Sequence, residues 1–138
     1  MERDSLMMTR VLLVRHCEAQ GNFKRVFQGH TDAELLSVRC RNMEIDAIYS
    51  SPLKRAYQTA EAVNTYHRLP IQIDAGLIEI DGGCWEGQLW EKLPELYPED
   101  ARAWNARPCD FAPEGGEPMR NVYDRIWNAV TGIVRKNP

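Results

Sequence analysis

The apolar positions of the chain fall into three short runs and two longer stripes. Val11-Leu12-Leu13-Val14 is uninterrupted and β-branched at both ends, the pattern of a strand buried on both faces of a parallel sheet. Ile45-Asp46-Ala47-Ile48-Tyr49 predicts a second strand. It runs into Ser50-Ser51-Pro52, where a hydroxyl cap and a proline at the first helical position predict a helix start. Leu53, Ala56, Tyr57, Ala60 and Val63 then recur at three and four residues, one apolar face of a helix over 52–66. Ile71-Gln72-Ile73 predicts a third strand. Strand and helix alternate, so the expected class is α/β, a sandwich with a mostly parallel sheet flanked by helices.

The pattern then breaks. Gly82-Gly83, Trp85, Trp90 and Trp104, with prolines at 94, 98, 108, 113 and 118, predict an irregular cap packed by aromatics, with short helices over 89–96 and 99–105. Met119, Val122, Tyr123, Ile126, Val130 and Ile133 restore the helical period and predict a helix over 118–135. A helix covering a parallel sheet normally returns the chain to another strand, and here only Lys136-Asn137-Pro138 remain. The expected organisation is therefore a flexible extension over 1–8 and one domain over 9–138, incomplete at its C-terminal end.

Composition narrows the function. The 138 residues can bury one modest core, and 43% hydrophobic with 27% charged residues is ordinary globular usage. A net charge of −3, with no basic stripe, argues against nucleic acid as a partner. The early apolar run is too short for a signal-peptide core or a membrane span, so a soluble, cytoplasmic chain without membrane attachment is expected. Cysteines at 17, 40, 84 and 109 make neither a redox pair nor a zinc-ribbon spacing. Free thiols and no metal site are the expectation.

One constellation has chemistry in it. Arg15-His16-Cys17-Glu18 follows the first predicted strand, and Arg55 lies near the start of the helix after the second. Both places are on the edge where α/β sheets bind ligands. Arginine forks and helix N-terminal amides suit phosphate oxygens. An imidazole at His16 can attack phosphorus, and Glu79, after the third strand, can protonate a leaving alkoxide. Taken singly, His16 fits an ordinary loop histidine, Arg15 a surface ion-pair residue and Glu79 a solvated carboxylate. Spacing leaves both readings open.

The segment 11–19, followed by Asn22 and by Phe27-Gln28-Gly29-His30-Thr31-Asp32, resembles the opening of the histidine phosphatase superfamily, on its phosphoglycerate-mutase-like branch. Residues 46–60, from Asp46 through Ser50-Ser51-Pro52-Leu53-Lys54-Arg55 to Ala60, are similar to its second block. Leu77-Ile78-Glu79 with Gly83-Cys84-Trp85-Glu86-Gly87 matches the third, and Pro113-Glu114-Gly115-Gly116-Glu117 the fourth. The resemblance implies a three-layer sandwich and hydrolysis of small phosphorylated metabolites through a phosphohistidine. It makes His16 the nucleophile, Arg15 and Arg55 the phosphate clamp, Glu79 the proton donor, and Asn22 with Gln28-Gly29 the wall of the substrate mouth. It implies no metal or nucleotide cofactor.

The departures are specific. Cys17 stands where the family usually has glycine, and Pro118 where serine is common. The stretch 31–45 allows a first crossover helix of two or three turns, its apolar residues being Leu35, Leu36, Val38 and Met43. The family's second catalytic histidine would lie beyond Pro138. Four readings follow: a phosphatase, a phosphoglycerate mutase, a phosphate-binding chain without turnover, and an assembly module whose missing strand comes from another copy, through an exposed sheet edge, or from another chain.

Overall fold

The computed structural model describes residues 8–15 and 29–138, with side chains in the second stretch from Leu35 onward. The chain forms two compact units, Met1–Ile78 with Val130–Pro138, and Glu79–Ala129. The elements are α1 (Gly29–Cys40), β1 (Ile48–Ser50), α2 (Lys54–Asn64), β2 (Ile71–Ile73), α3 (Leu93–Leu96), α4 (Pro98–Ala106) and α5 (Met119–Lys136).

In the first unit β1 and β2 pair in parallel, with Ile48 opposite Ile71 and Ser50 opposite Ile73. Asp74 N–H donates to Ser50 O at 2.9 Å and carries the ladder one step further. Cys40, Ile48 and Val63 form the core, with Leu36, Ile45, Ala60, Leu69 and Ile71 packed against it. Each fully buried aliphatic side chain stabilises by about 1.5–3 kcal/mol. Asn64 closes the turn before β2 from both sides: its side chain donates to Leu69 O at 2.7 Å and accepts from Leu69 N–H at 2.8 Å. At the far end of α5, Asn137 Nδ2 donates to Tyr49 Oη at 3.1 Å, and Asn137 O accepts from Thr9 Oγ1 at 2.7 Å.

Several expectations need correction. The run 11–14 is not a strand: among the described residues the sheet is β1 and β2 alone. Leu13 is 83% exposed, and Val11, Leu12 and Val14 are exposed as well. An apolar run favours a strand, but the strand exists only where a neighbour offers a ladder and layers cover both faces. The mostly parallel sheet of the expected three-layer sandwich is thus represented among the described residues by one parallel pair. The extension over 1–8 lies outside the described residues except for exposed Met8.

Helix α2 begins at Lys54, later than predicted. Pro52 disfavours helical geometry at Ser51, and Leu53 is still extended, so the serines do not cap the helix. Ser51 Oγ instead accepts from Leu53 N–H at 3.3 Å. The buried face of α2 is Thr59, Ala62 and Val63. Thr59 tolerates burial because its hydroxyl donates to Arg55 O at 2.9 Å. In α1, among the described side chains, Ser37 and Cys40 are buried while Leu35 and Val38 are exposed; Met43, beyond the helix, is exposed as well. In α5 Val122 is buried, but Tyr123, at 62% exposure, stacks on exposed Trp127 with ring centroids 6.3 Å apart.

The second unit contains the aromatic cap the sequence predicts. Trp85, Leu93, Ala101, Ala103 and Phe111 are buried together, with Ile80, Cys84, Tyr97, Trp104 and Met119 around them. Phe111 is 1% exposed and lies edge-on to Trp85 at 4.7 Å and to Trp104 at 5.0 Å. Such pairs add about 0.5–1.5 kcal/mol beyond area burial. The prolines set the helix lengths: Pro94 and Pro98 lie in the first turns of α3 and α4, where a missing N–H costs no intrahelical bond.

Candidate functional site

The parallel ladder puts the C-terminal ends of β1 and β2 on one edge. From β1 the chain passes through Ser51-Pro52-Leu53 into α2, whose second residue is Arg55, half-buried. From β2 it passes into Asp74, whose Oδ1 accepts from Gly76 N–H at 2.8 Å and starts the 3-10 turn Ala75–Leu77. Arg55 and this turn therefore share the edge at which α/β folds bind ligands. Arg15 ends the first described stretch and is exposed. His16, Asn22 and Gln28 lie outside the described residues, as does Cys17, and Gly29 is the first residue of α1.

Glu79 opens the second unit and is exposed, and its Oε1 accepts from Ile80 N–H at 3.0 Å. The residues after it are sewn to the segment before α5. Glu117 N–H donates to Asp81 O at 2.9 Å, and Cys84 N–H donates to Glu114 O at 2.9 Å. Asp81 Oδ1 accepts from Gly83 N–H at 2.9 Å, and Glu86 Oε1 accepts from Gly82 N–H at 2.9 Å.

Arg125, on α5, donates from Nε to Glu117 Oε1 and from Nη2 to Glu117 Oε2, each at 2.7 Å. Its Nη2 also reaches Glu79 O at 3.4 Å. The hydrogen bonds from Arg125 hold the Glu117 carboxyl below the usual carboxylate range. Glu117 in turn pushes the guanidinium of Arg125 up, with a smaller contribution from the charge of Glu79. Sequence reading included Glu117 in a glycine-rich block but missed the pair. Glu117 precedes the helix that carries Arg125, so helical spacing gives no signal.

Elsewhere in this unit burial, with the neighbouring Cys84 thiol, pushes the Tyr97 hydroxyl up. Cys40, Cys84 and Cys109 are free thiols. Among the described residues no group of three or more His, Cys, Asp or Glu is arranged to hold a metal ion. No helix among them is long and apolar enough to cross a membrane.

Residues 11–138 match the histidine phosphatase superfamily (branch 1). Phosphoserine phosphatase 1 of Hydrogenobacter thermophilus is 38% identical over 129 residues, covering 86% of this chain and 61% of that protein. Phosphoglycerate mutase-like protein 4 of Arabidopsis thaliana is 30% identical over 140 residues, covering 92% of this chain and 61% of that one. Among solved structures, Bacillus stearothermophilus YhfR aligns with a TM-score of 0.77 at 33% identity, over 89% of this chain and 66% of that one. The chain thus spans about three fifths of the length of these two curated relatives.

Proposed function

We propose that this chain, which belongs to the histidine phosphatase superfamily (branch 1), hydrolyses small phosphomonoesters through a phosphohistidine at His16. The observation that carries the reading is the order of the motifs. Arg15-His16 follows the first apolar run, and Arg55 is the second residue of the helix after β1, at the C-terminal edge of a parallel ladder.

In this reading Arg15 and Arg55 bind the non-bridging phosphoryl oxygens and offset their charge in the transition state. An unprotonated ring nitrogen of His16 attacks phosphorus, forming the P–N bond as the ester P–O bond breaks. The departing alkoxide takes the proton of Glu79. Water then attacks the phosphohistidine and gives a proton to the Glu79 carboxylate, breaking P–N and releasing inorganic phosphate. Asn22, Gln28 and Gly29 line the approach of the organic part of the substrate. The name of the Hydrogenobacter relative makes phosphoserine the first substrate to try.

The test is incubation with a reactive phosphodonor, followed by peptide mapping. Acid-labile, base-stable phosphate on the peptide containing His16 supports the reading, and label that persists in His16→Ala rejects it. The name of the Arabidopsis relative favours a second reading, in which the phosphohistidine returns its group to a metabolite hydroxyl. Phosphorus NMR of the same incubation separates the two: inorganic phosphate accumulates in the first and an isomeric ester in the second. Phosphate binding with neither product would leave a binding protein.

A further inference from the structure

Glu79 is an exposed carboxylate, yet its carbonyl and the backbone just after it make hydrogen bonds to distant segments. Downstream, the Asp81 carbonyl is bonded to Glu117 N–H and Cys84 N–H to the Glu114 carbonyl. At Glu79 itself, the carbonyl lies 3.4 Å from Arg125 Nη2. The same guanidinium is clamped in two 2.7 Å bonds to Glu117, and the pair is half-buried, with side-chain exposures of 22% and 23%. An arginine gripped by both oxygens of a carboxylate has lost rotamer freedom, so its other N–H groups point in set directions, and one on Nη2 points at the Glu79 carbonyl. Glu117 thus acts twice, through its amide on Asp81 and through its carboxylate on the arginine that meets Glu79.

We propose that Glu117 and Arg125 are positioning residues for Glu79: the pair fixes the Glu79 carbonyl, and with it the direction in which the side chain leaves the backbone. This rests on the reading of Glu79 as proton donor. Proton transfer demands hydrogen-bond distance to the leaving oxygen, and a misplacement of about 1 Å costs on the order of 10²-fold in rate. A purely structural ion pair would instead lower activity by the same factor for every substrate.

The experiment compares Arg125→Met, Arg125→Lys and Glu117→Gln with the parent. Arg120→Met serves as control, because Arg120 is on the same helix and pairs with Asp110 at 3.2 Å on the surface. Two quantities are read: kcat for an alkyl phosphate against a nitrophenyl phosphate, and amide exchange at Ile80, whose N–H donates to Glu79 Oε1. Arg125→Met is expected to lose about tenfold more kcat on the alkyl ester than on the aryl ester, a part of the roughly 10²–10⁴ that general acid catalysis supplies in full. Ile80 exchange should quicken about tenfold, since a freed hydrogen bond opens locally. Arg125→Lys, which keeps charge without the fork, should fall between, and it stands in if the methionine variant does not fold. Arg120→Met should change neither quantity. Equal losses on both esters, or Ile80 exchange unchanged in all three variants, would overturn the proposal. If Glu79→Gln itself shows no leaving-group dependence, or the parent does not turn over, the proton-donor reading falls and Ile80 exchange alone decides the positioning.

Discussion

Gly83 and Gly116 cross so closely that a Cβ added to Gly83 would lie 2.4 Å from Gly116 N and 2.3 Å from Glu114 O. From the other side, a Cβ on Gly116 would meet Asp81 O at 2.5 Å. The crossing of residues 81–84 with 114–117, just after Glu79 in the chain, is therefore built on two glycines that allow backbone to approach backbone. Gly83 also has φ of +52°, in the left-handed region. Gly83→Ala should lose both the approach and the conformation, at a cost above about 2 kcal/mol. Gly87→Ala isolates the second effect, because Gly87 has φ of +75° with nothing within 4 Å of an added Cβ. Its cost should stay near the roughly 1–2 kcal/mol of a left-handed residue. Urea melts of the two variants check this, and equal losses would mean the crossing relaxes.

The Glu117 and Arg125 pair makes stability depend on pH. Arg125 depresses the Glu117 carboxyl in the folded chain, so its contribution is complete above the unfolded value of about 4.3. It is lost as the pH falls through the depressed folded value. In acid melts the parent should weaken more steeply than Glu117→Gln as pH drops below about 4.3. Parallel curves for the two proteins would show that the pair contributes nothing to folding.

Phosphate affinity tests Arg55. Charge-assisted hydrogen bonds contribute about 1.5–3 kcal/mol, so Arg55→Ala should weaken phosphate or vanadate binding by roughly 10- to 100-fold. Lys54, exposed at the first position of α2, faces elsewhere on the helix, and Lys54→Ala should have a small effect. Titration calorimetry gives both numbers. Unchanged affinity in Arg55→Ala would remove it from the clamp.

Glu79→Gln separates clamp from acid. Phosphate binding should persist, while phosphorylation of His16 slows most for esters with poor alkoxide leaving groups, by about 10²–10⁴. A nitrophenolate leaves without a proton and should hide much of that loss. Rapid-quench rates across leaving groups of different pKa measure the effect, and a uniform loss would assign Glu79 some other role.

Much of this molecule follows from local pattern. The period from Met119 to Ile133 predicted α5, the proline spacing predicted two short helices, and the clustered tryptophans and Phe111 made an aromatic core. Arg55 was placed near a helix start because strand, turn and proline are neighbours in sequence. Periodicity, capping and turn chemistry act over a few residues, so they can be read without knowing what lies across the fold.

Partnership over long separations could not be read that way. The run 11–14 has the composition of a buried strand and is exposed, because a ladder depends on which backbone lies alongside. Tyr123 and Ile126 sit on the apolar stripe of α5 yet are exposed, because a stripe is buried only as far as something covers it. Arg125 reaches Glu79 across 46 residues, and Gly83 meets Gly116 backbone to backbone. Residue types and their order already carried the candidate chemistry of Arg15, His16, Arg55 and Glu79. The crossing of 81–84 with 114–117 and the contact of Arg125 with Glu79 join distant segments, whose geometry no local pattern encodes.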